Sequence, residues 1–340
     1  MFSTIRPFAN QFSFNKKFLG CLVLFEIFYS KIVLDRAMFA NIKKQQEVVM
    51  PVHSKLSDRM RDGEFLVSIQ LDPPGSCEIG DFKESAELLK KAGARIVDIN
   101  SSRRVSHDSI ALASELSRVG FDTIPHVTLR DGSLSGIANQ MLASYSWNGV
   151  RNFLIISGDP HDEERALFPS RGIFQANATE AIRIFDQCLR KSECAPNIEF
   201  AAAFNQNERE IATEIGHAKE KKEAGADFFM SQPVFSLVQA TDLYNRRLSN
   251  VAPMIVGIWP LVSKKAVDRI WKNEVVGVKL PEHFYKEAMN VKDEDIEKWG
   301  IDKARDLICC IEESDLARGV YIVAPFKNPR LILPLVKEFC

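Results

Sequence analysis

The side chains best suited to chemistry stand at the carboxyl ends of two short apolar runs near the middle of the chain, 123–127 and 152–156. They are His126, Thr128, Arg130 and Asp131 at the first run, and Ser157, Gly158 and Asp159 after the second. A helix-length segment, 134–148, separates the two runs. Such groups can bind a polar ligand and move protons. Because parallel α/β enzymes place their sites at the carboxyl ends of strands, the pattern indicates an enzyme.

The elements that must position these groups repeat along the chain. Apolar, β-branched runs typical of buried strands occur at Phe65–Leu71, Arg95–Ile99, Thr123–Val127, Asn152–Ile156, Ile198–Ala203, Asp227–Ser231, Met254–Ile258 and Val320–Val323. Eight strand–helix units in about 270 residues match a (β/α)₈ barrel. The competing doubly wound sheet is disfavoured because no G-x-G-x-x-G motif follows any strand. We therefore predict an α/β protein with a single-domain TIM barrel.

The intervening segments carry helix signals. One helix is predicted over Phe82–Ala92, with Asp81 as N-cap, Glu84 completing a capping box and Gly93 as the stop. The long gap at 260–319 has room for an extra helix or two. The predicted helices are thus spaced to return the chain from one strand to the next.

The residues after each strand predict a rim that is polar but sparse in charge. Besides the two groups above, they are Gln70, Asp72, Pro73, Pro74, Asn100, Ser101, Phe204, Asn205, Gln232, Trp259 and Pro260. The rim has no Ser-His-Asp set, no H-E-x-x-H motif, no P-loop and no carboxylate cluster for a metal. It suits a large polar cofactor that supplies the difficult chemistry itself.

Composition narrows the class of protein. The chain is 46% hydrophobic, and 44 Lys and Arg oppose 45 Asp and Glu, for a net charge of -1. This balance gives no reason to expect nucleic acid as a partner. The seven cysteines include no C-x-x-C and no zinc-site spacing with histidine, so we expect free thiols, no metal and a cytoplasmic location.

The N-terminal 53 residues differ from the rest of the chain. They contain a basic stretch without acids at 1–25, followed by the apolar run Phe18–Leu34, which Glu26 and Lys31 interrupt. The segment is compatible with a start codon assigned too early, an organellar presequence or a signal anchor. We predict an atypical leader at 1–53 and the barrel at 54–340.

Five motifs together resemble the methylenetetrahydrofolate reductase family. They are IPHVTLRD, FLIISGDP, AGADFFMSQPVF, VGIWPLVS and GVYIVAPF, in this order, and the resemblance covers about Phe65 to Phe326. It is closest to the bacterial form found fused to homocysteine methyltransferases, whose first strand ends in D-P-P. The resemblance implies an FAD-containing TIM-barrel flavoprotein of one-carbon metabolism. Such an oxidoreductase uses NAD(P)H to convert 5,10-methylenetetrahydrofolate into 5-methyltetrahydrofolate for methionine biosynthesis. A homo-oligomer and a methyltransferase partner are both compatible with it.

The resemblance also implies roles for individual residues. Cofactor contacts would come from Asn100, His126, Thr128, Ser157, Gly158, Asp159, Phe204 and Lys221. Gln232 would hold the pterin and nicotinamide by amide hydrogen bonds. Asp159 would lie beside the pyrimidine side of the flavin, where a carboxylate disfavours an anionic reduced ring. From the residues alone, Asp159 can also be a helix N-cap or turn residue, and His126 could equally be a core histidine bonded to the backbone.

Two positions depart from the family pattern. Gln70 stands where the family has a glutamate that acts as general acid while the folate ring opens, and an amide cannot deliver that proton. Asp72 lies on the same face of the strand and is the candidate replacement acid. Lys264 stands where the family often has an aromatic residue against the pterin and nicotinamide. Gln70, Asp72 and Asp159 are therefore the candidate catalytic residues, and Gln70, Gln232 and Lys264 the candidate substrate contacts.

These departures leave alternatives to reduction of methylenetetrahydrofolate. The reaction could run in the oxidative direction. The barrel could act as a flavin oxidoreductase on another one-carbon pterin. It could also be a non-catalytic folate- or flavin-binding partner of a methyltransferase.

Overall fold

The computed structural model describes residues 55–102, 104–159, 172–245 and 251–340. Eight parallel strands close into a barrel in chain order, β1 to β8, with β8 paired to β1. This confirms the predicted TIM barrel and excludes the doubly wound sheet. The predicted leader at 1–53 lies outside the described residues.

The strands match the predicted runs to within a few residues. They are β1 (Leu66–Leu71), β2 (Ile96–Ile99), β3 (Asp122–Thr128), β4 (Asn152–Ile156), β5 (Glu199–Phe204), β6 (Phe228–Val234), β7 (Met254–Ile258) and β8 (Gly319–Val323). The described helices are α1 (Leu56–Arg61), α2 (Gly80–Ala92), α3 (Ser109–Arg118), α4 (Leu134–Asn148), α5 (Ala178–Phe185), α6 (Ile211–Ala224), α7 (Leu237–Asn245), α8 (Lys264–Trp271), α9 (Glu282–Asn290), α10 (Ile296–Glu313) and α11 (Leu333–Phe339). A π-helical turn, Asp186–Lys191, follows α5.

The start of α2 corrects one prediction. The helix begins at Gly80 with Ile79 as N-cap and no side-chain cap, so Asp81 and Glu84 do not form a capping box. Asp81 lies inside the first turn instead, where its carboxylate still faces the positive end of the helix dipole. The predicted stop is confirmed, because Gly93 adopts the left-handed conformation with φ 113°.

Two apolar layers hold the barrel. The larger lies between the strands and the surrounding helices and includes Val97, Phe153 and Phe200. The smaller fills the barrel interior with Leu66, Ile96, Ile124, Leu154, Ala201, Phe228, Met230 and Ile255. Because both faces of each strand are buried, the strands read in sequence as continuous apolar runs.

Helix α1 closes the amino-terminal end of the barrel. Leu56 and Met60 are buried among the interior side chains. The Ser57 hydroxyl donates a hydrogen bond to the carboxylate of Glu199, which is fully buried at the start of β5. Burial raises the pKa of Glu199 above its usual value. With this end closed, the opposite end is where a ligand can enter.

The long gap between β7 and β8 holds three helices, α8, α9 and α10. They form a separate apolar cluster with the β6–α7 loop. The cluster includes Phe235 from that loop, Ile270 from α8 and Phe284 from α9. The Phe235 and Phe284 ring centroids lie 5.6 Å apart. The extra helices therefore thicken one side of the barrel beside the cavity described below.

Candidate functional site

A cavity of about 1180 Å³ opens at the carboxyl ends of the strands. Nine predicted site residues line it together: Gln70, Asp72, Asn100, His126, Ser157, Gly158, Asp159, Lys221 and Gln232. Pockets for a single small molecule usually measure about 300–1,000 Å³. The cavity is therefore larger than the usual pocket for one small ligand.

The corner between β1 and β2 holds a fixed carboxylate. The side-chain amide of Asn100 donates a hydrogen bond to Asp72 Oδ1 at 3.0 Å, while the backbone N–H of Ser101 donates to Asn100 Oδ1 at 2.9 Å. Gln70 lies two residues before Asp72, and both line the cavity. This corner thus offers an amide and an oriented carboxylate to a polar ring.

A buried carboxylate lies beneath that corner. Asp98 on β2 pairs in register with Gln70 and is completely buried. Ser68 donates a hydrogen bond to Asp98 Oδ1 at 2.7 Å, and His126 Nε2 lies 3.3 Å from Asp98 Oδ2. Those two facing atoms lack the alignment of a hydrogen bond, and no other described group satisfies either of them. The two atoms therefore form a buried polar pair beneath the Gln70–Asp72 corner, without a hydrogen bond of their own.

A tyrosine on β8 reaches past β7 to β6 inside the barrel. Tyr321 on β8 donates a hydrogen bond to the carbonyl of Ser231 at 2.8 Å. Burial, with a smaller effect from nearby Asp98, raises the pKa of Tyr321, so the hydroxyl remains a donor. The ring lies over Gly257, where an added Cβ would come within 2.5 Å of the tyrosine oxygen. A glycine in β7 is therefore required by this ring.

One buried guanidinium ties the loops after β2, β3 and β4 together. Arg130 has a side-chain exposure of only 2%. It donates to the carbonyl of Asp159 at 2.8 Å, to the carbonyl of Ser102 at 2.9 Å and to both carboxylate oxygens of Asp131 at 2.6 Å. Its role is to hold the loop that carries Asp159 in place.

Gly158 and Thr128 meet below that loop. Gly158 has φ +83°, and an added Cβ would lie 2.1 Å from Thr128 Cγ2. The hydroxyls of Thr128 and Ser101 share a hydrogen bond. Thr128 therefore supports the loop from beneath and does not line the cavity. Its role as a direct cofactor contact stays a prediction.

The wall formed by β5 and α6 carries charges of both signs. Lys221 Nζ donates to the carbonyl of Ala203 at 2.8 Å and lies 3.4 Å from Glu214 Oε1. His217 Nδ1 lies 3.5 Å from the other oxygen of Glu214. An ammonium has three donors, so Lys221 has one N–H left for an anion in the cavity.

Gln232 is presented by a distortion in β6. The register of β6 with β7 shifts between Met230 and Pro233. Gln206 fixes the Gln232 backbone on both sides, accepting from its N–H at 3.0 Å and donating to its carbonyl at 2.8 Å. The Gln232 side chain lies in the cavity wall beside Gly277. Its amide is thus available to a ligand while its backbone is held.

Two predicted contacts lie elsewhere. Phe204 is 1% exposed and packs in the apolar layer between the strands and the helices. Lys264 begins α8, and its ammonium pairs with Asp293 at 2.9 Å. Neither lines the cavity. Phe204 points away from the cavity because neighbouring side chains of a strand lie on opposite faces.

Sequence reasoning missed several residues that shape this site. Asp98 has a signal in retrospect, because a charged residue interrupts an apolar strand two positions before Asn100. Gln206 has no such signal in the sequence, since a loop glutamine is ordinarily solvated. Arg130 was assigned to the rim without its role in tying three loops together.

Two absences concern only the part of the chain that the structure describes. No group of three or more His, Cys, Asp or Glu residues there could hold a metal ion. In the same residues, no helix has both the length and the apolar character needed to cross a membrane.

Comparison with known proteins places the chain in a family. The model of the methylenetetrahydrofolate reductase family matches residues 55–324. A Clostridium thermocellum structure, described as an uncharacterized protein that binds two copies of 5-methyl-5,6,7,8-tetrahydrofolic acid, is 15% identical with a TM-score of 0.55. The match covers 84% of this chain and 98% of that one. A 2,3-dimethylmalate lyase is 13% identical, with coverages of 83% and 81% and a TM-score of 0.49. The first likeness shows a shared fold, and the family model decides the assignment. This chain belongs to the methylenetetrahydrofolate reductase family.

Proposed function

We propose that this protein is an FAD-dependent oxidoreductase that reduces 5,10-methylenetetrahydrofolate to 5-methyltetrahydrofolate with NAD(P)H. The family assignment supports an oxidoreductase acting on a folate. The Clostridium thermocellum protein of the same fold, which is described as binding 5-methyltetrahydrofolate, also supports a folate ligand. The observation that carries the proposal is the convergence of nine predicted residues on one cavity of about 1180 Å³.

The residues present fit a flavin dinucleotide. On the β5–α6 wall, Lys221 offers a donor to an anionic phosphate, and the carboxylate of Glu214 can accept hydrogen bonds from ribose hydroxyls. At the β3–β4 side, His126, Gly158 and Asp159 line the space for a flat ring. FAD bound there would supply the two-electron carrier that the side chains themselves lack.

The protein's own groups would bind and orient the folate. Gln232 has a side-chain amide that can donate and accept at a pterin edge. At the β1–β2 corner, Asp72 is the carboxylate nearest in sequence to Gln70 and is oriented by Asn100. We propose that Asp72 delivers the proton that opens the substrate ring, because Gln70 can only form hydrogen bonds.

Gln70 also favours a second candidate function. If Asp72 does not supply the proton, the same cavity would bind flavin and folate without reducing the folate efficiently. The protein would then act as a binding partner, or as a catalyst biased toward oxidation of 5-methyltetrahydrofolate. Both alternatives keep the same ligands as the first proposal and differ from it in whether the protein delivers the proton that opens the folate ring.

An anaerobic titration separates these functions. The purified protein should be yellow, NADH or NADPH should bleach the flavin, and methylenetetrahydrofolate should restore its colour. Gln70→Glu should speed that restoration by about 10²–10⁴ if the missing acid limits the reaction. Asp72→Asn, made with Gln70 unchanged, should slow the restoration of the flavin colour while leaving its bleaching unchanged.

A matched control tests the added charge itself. Gln187→Glu introduces the same carboxylate at an exposed position outside the cavity and should change neither half-reaction. A protein that binds no flavin, or a reduced flavin that no folate reoxidises in either the natural form or Gln70→Glu, contradicts the proposal.

We also propose that residues 54–340 form the catalytic unit and that the protein works in the cytoplasm. The described cysteines are all free, which supports a reducing compartment.

A further inference from the structure

An aromatic residue occupies an unfavourable turn position directly after β8. The Lys327 N–H donates to the carbonyl of Ala324 at 3.2 Å and closes a four-residue turn with Pro325 and Phe326 at its centre. Phe326 has φ 54° and ψ 24°. A turn with proline second and a positive φ third is the type that favours glycine or asparagine in the third place. Phenylalanine is strained there.

The next residue repeats the strain. Lys327 has φ 60°, and the Asn328 N–H donates to the carbonyl of Pro325 at 2.9 Å, which closes a second turn with two central residues at positive φ. Such turns are dominated by Gly, Asn and Asp. Two successive residues without this preference persist only where the surrounding structure or a function retains them.

Packing does not explain the phenylalanine. The residue is 68% exposed, so its ring buries little apolar surface in the folded chain. Phe174, which also has a positive φ, differs because it lies against Gly172, where an added Cβ would come within 2.1 Å of the ring. Neither the turn nor the core therefore accounts for an aromatic side chain at Phe326.

The position of Phe326 does offer an explanation. Phe326 and Lys327 line the mouth of the cavity. Strand β8 pairs with β1, where Val323 is the register partner of Gln70, so the turn begins next to the Gln70–Asp72 corner. On the β7 side, Lys264 is paired with Asp293 outside the cavity, and the ring that lines the cavity there is Trp259. Phe326 adds an exposed ring on the β8 side, next to the Gln70–Asp72 corner.

We propose that Phe326 is a substrate-contacting residue whose ring stacks on the pterin of the bound folate. This inference rests on the proposed function. The ring is held out of the core by the strained turn, ready for a planar heteroaromatic partner. Strain in the free protein is retained because the stacked complex uses the exposed ring.

The test compares stability and affinity in the full-length holoprotein. Phe326→Asn removes the ring and introduces a residue that the turn prefers. We expect its denaturation midpoint to rise or stay equal. Binding of 5-methyltetrahydrofolate, measured by calorimetry, should weaken about 5- to 150-fold, the range of aromatic–base stacking. Phe326→Trp should keep the affinity within about twofold because it retains a ring.

Glu193→Asn is the matched control. Glu193 is exposed, has φ 62° and lies outside the cavity lining, so the change relieves the same kind of strain without touching the ligand. Its midpoint should rise and its folate affinity should not change. NADH bleaching of the flavin should also be unchanged in Glu193→Asn.

The outcomes separate the two proposals. If the natural protein binds folate and Phe326→Asn binds it equally well, the stacking inference alone is overturned. A lower midpoint in Phe326→Asn, with affinity lost in Phe326→Trp as well, would show a structural role and overturns it too. If the natural protein binds no folate, the proposed function fails and the inference fails with it.

Discussion

Replacing Arg130 by methionine should loosen three loops at once. The variant keeps a long flexible side chain but loses the donors to the carbonyls of Asp159 and Ser102. A hydrogen bond to a charged group contributes about 1.5–3 kcal/mol. We take the lower end for each, since both carbonyls lie in loops that water can reach. The bond to Asp131, whose side chain is 43% exposed, adds little. The expected loss in unfolding free energy is about 3 kcal/mol.

Equilibrium denaturation measures this loss, and Arg305→Met is the comparison. Arg305 also pairs with two carboxylates, Asp302 and Glu338, but its side chain is 31% exposed. Removing it should cost under about 1 kcal/mol. Amide exchange at 157–159 should accelerate only in Arg130→Met. Equal losses in the two variants would refute the assignment of Arg130 as the residue that ties the loops.

Two further changes test other parts of the structure. Gly158→Ala should destabilise the protein by about 1–3 kcal/mol and weaken flavin binding, because φ +83° is strained for alanine and its Cβ would strike Thr128; denaturation and flavin fluorescence check this, and a variant with natural stability would contradict it. Glu199→Gln should gain stability relative to the natural protein as pH rises from about 4 to 8. Burial raises the pKa of Glu199 in the folded protein. The contribution of Glu199 to the stability of the natural protein is therefore fully present below the pKa of the unfolded state and is lost as pH rises through the pKa of the folded state. Denaturation midpoints measured across that pH range should diverge, and parallel curves would contradict the reasoning.

Much of the fold was predictable because it depends on local apolar pattern. The strands Asn152–Ile156 and Met254–Ile258 and the helix Leu134–Asn148 have the bounds that the apolar runs predict. Cap geometry was not predictable for α2, since Asp81 fits either an N-cap or the first turn and packing decides between them.

The site was predictable where it lies at strand ends and not where it depends on contacts between distant loops. Strand order brings Asp72, Asn100 and Asp159 to one rim, as parallel barrels require. Side-chain direction misled the prediction for Phe204, which faces the helices. The bonds of Arg130 to Ser102 and Asp159 could not be inferred, because loop geometry sets them.

The closed amino end of the barrel has a consequence for how water reaches the interior. Helix α1 seals the amino end with Leu56 and Met60, so the interior communicates with water through the ligand cavity at the other end. A ligand seated in that cavity covers His126 and, below it, Asp98. A bound ligand therefore separates this buried polar pair from the solvent, and the pair is open to water again only after the ligand has left.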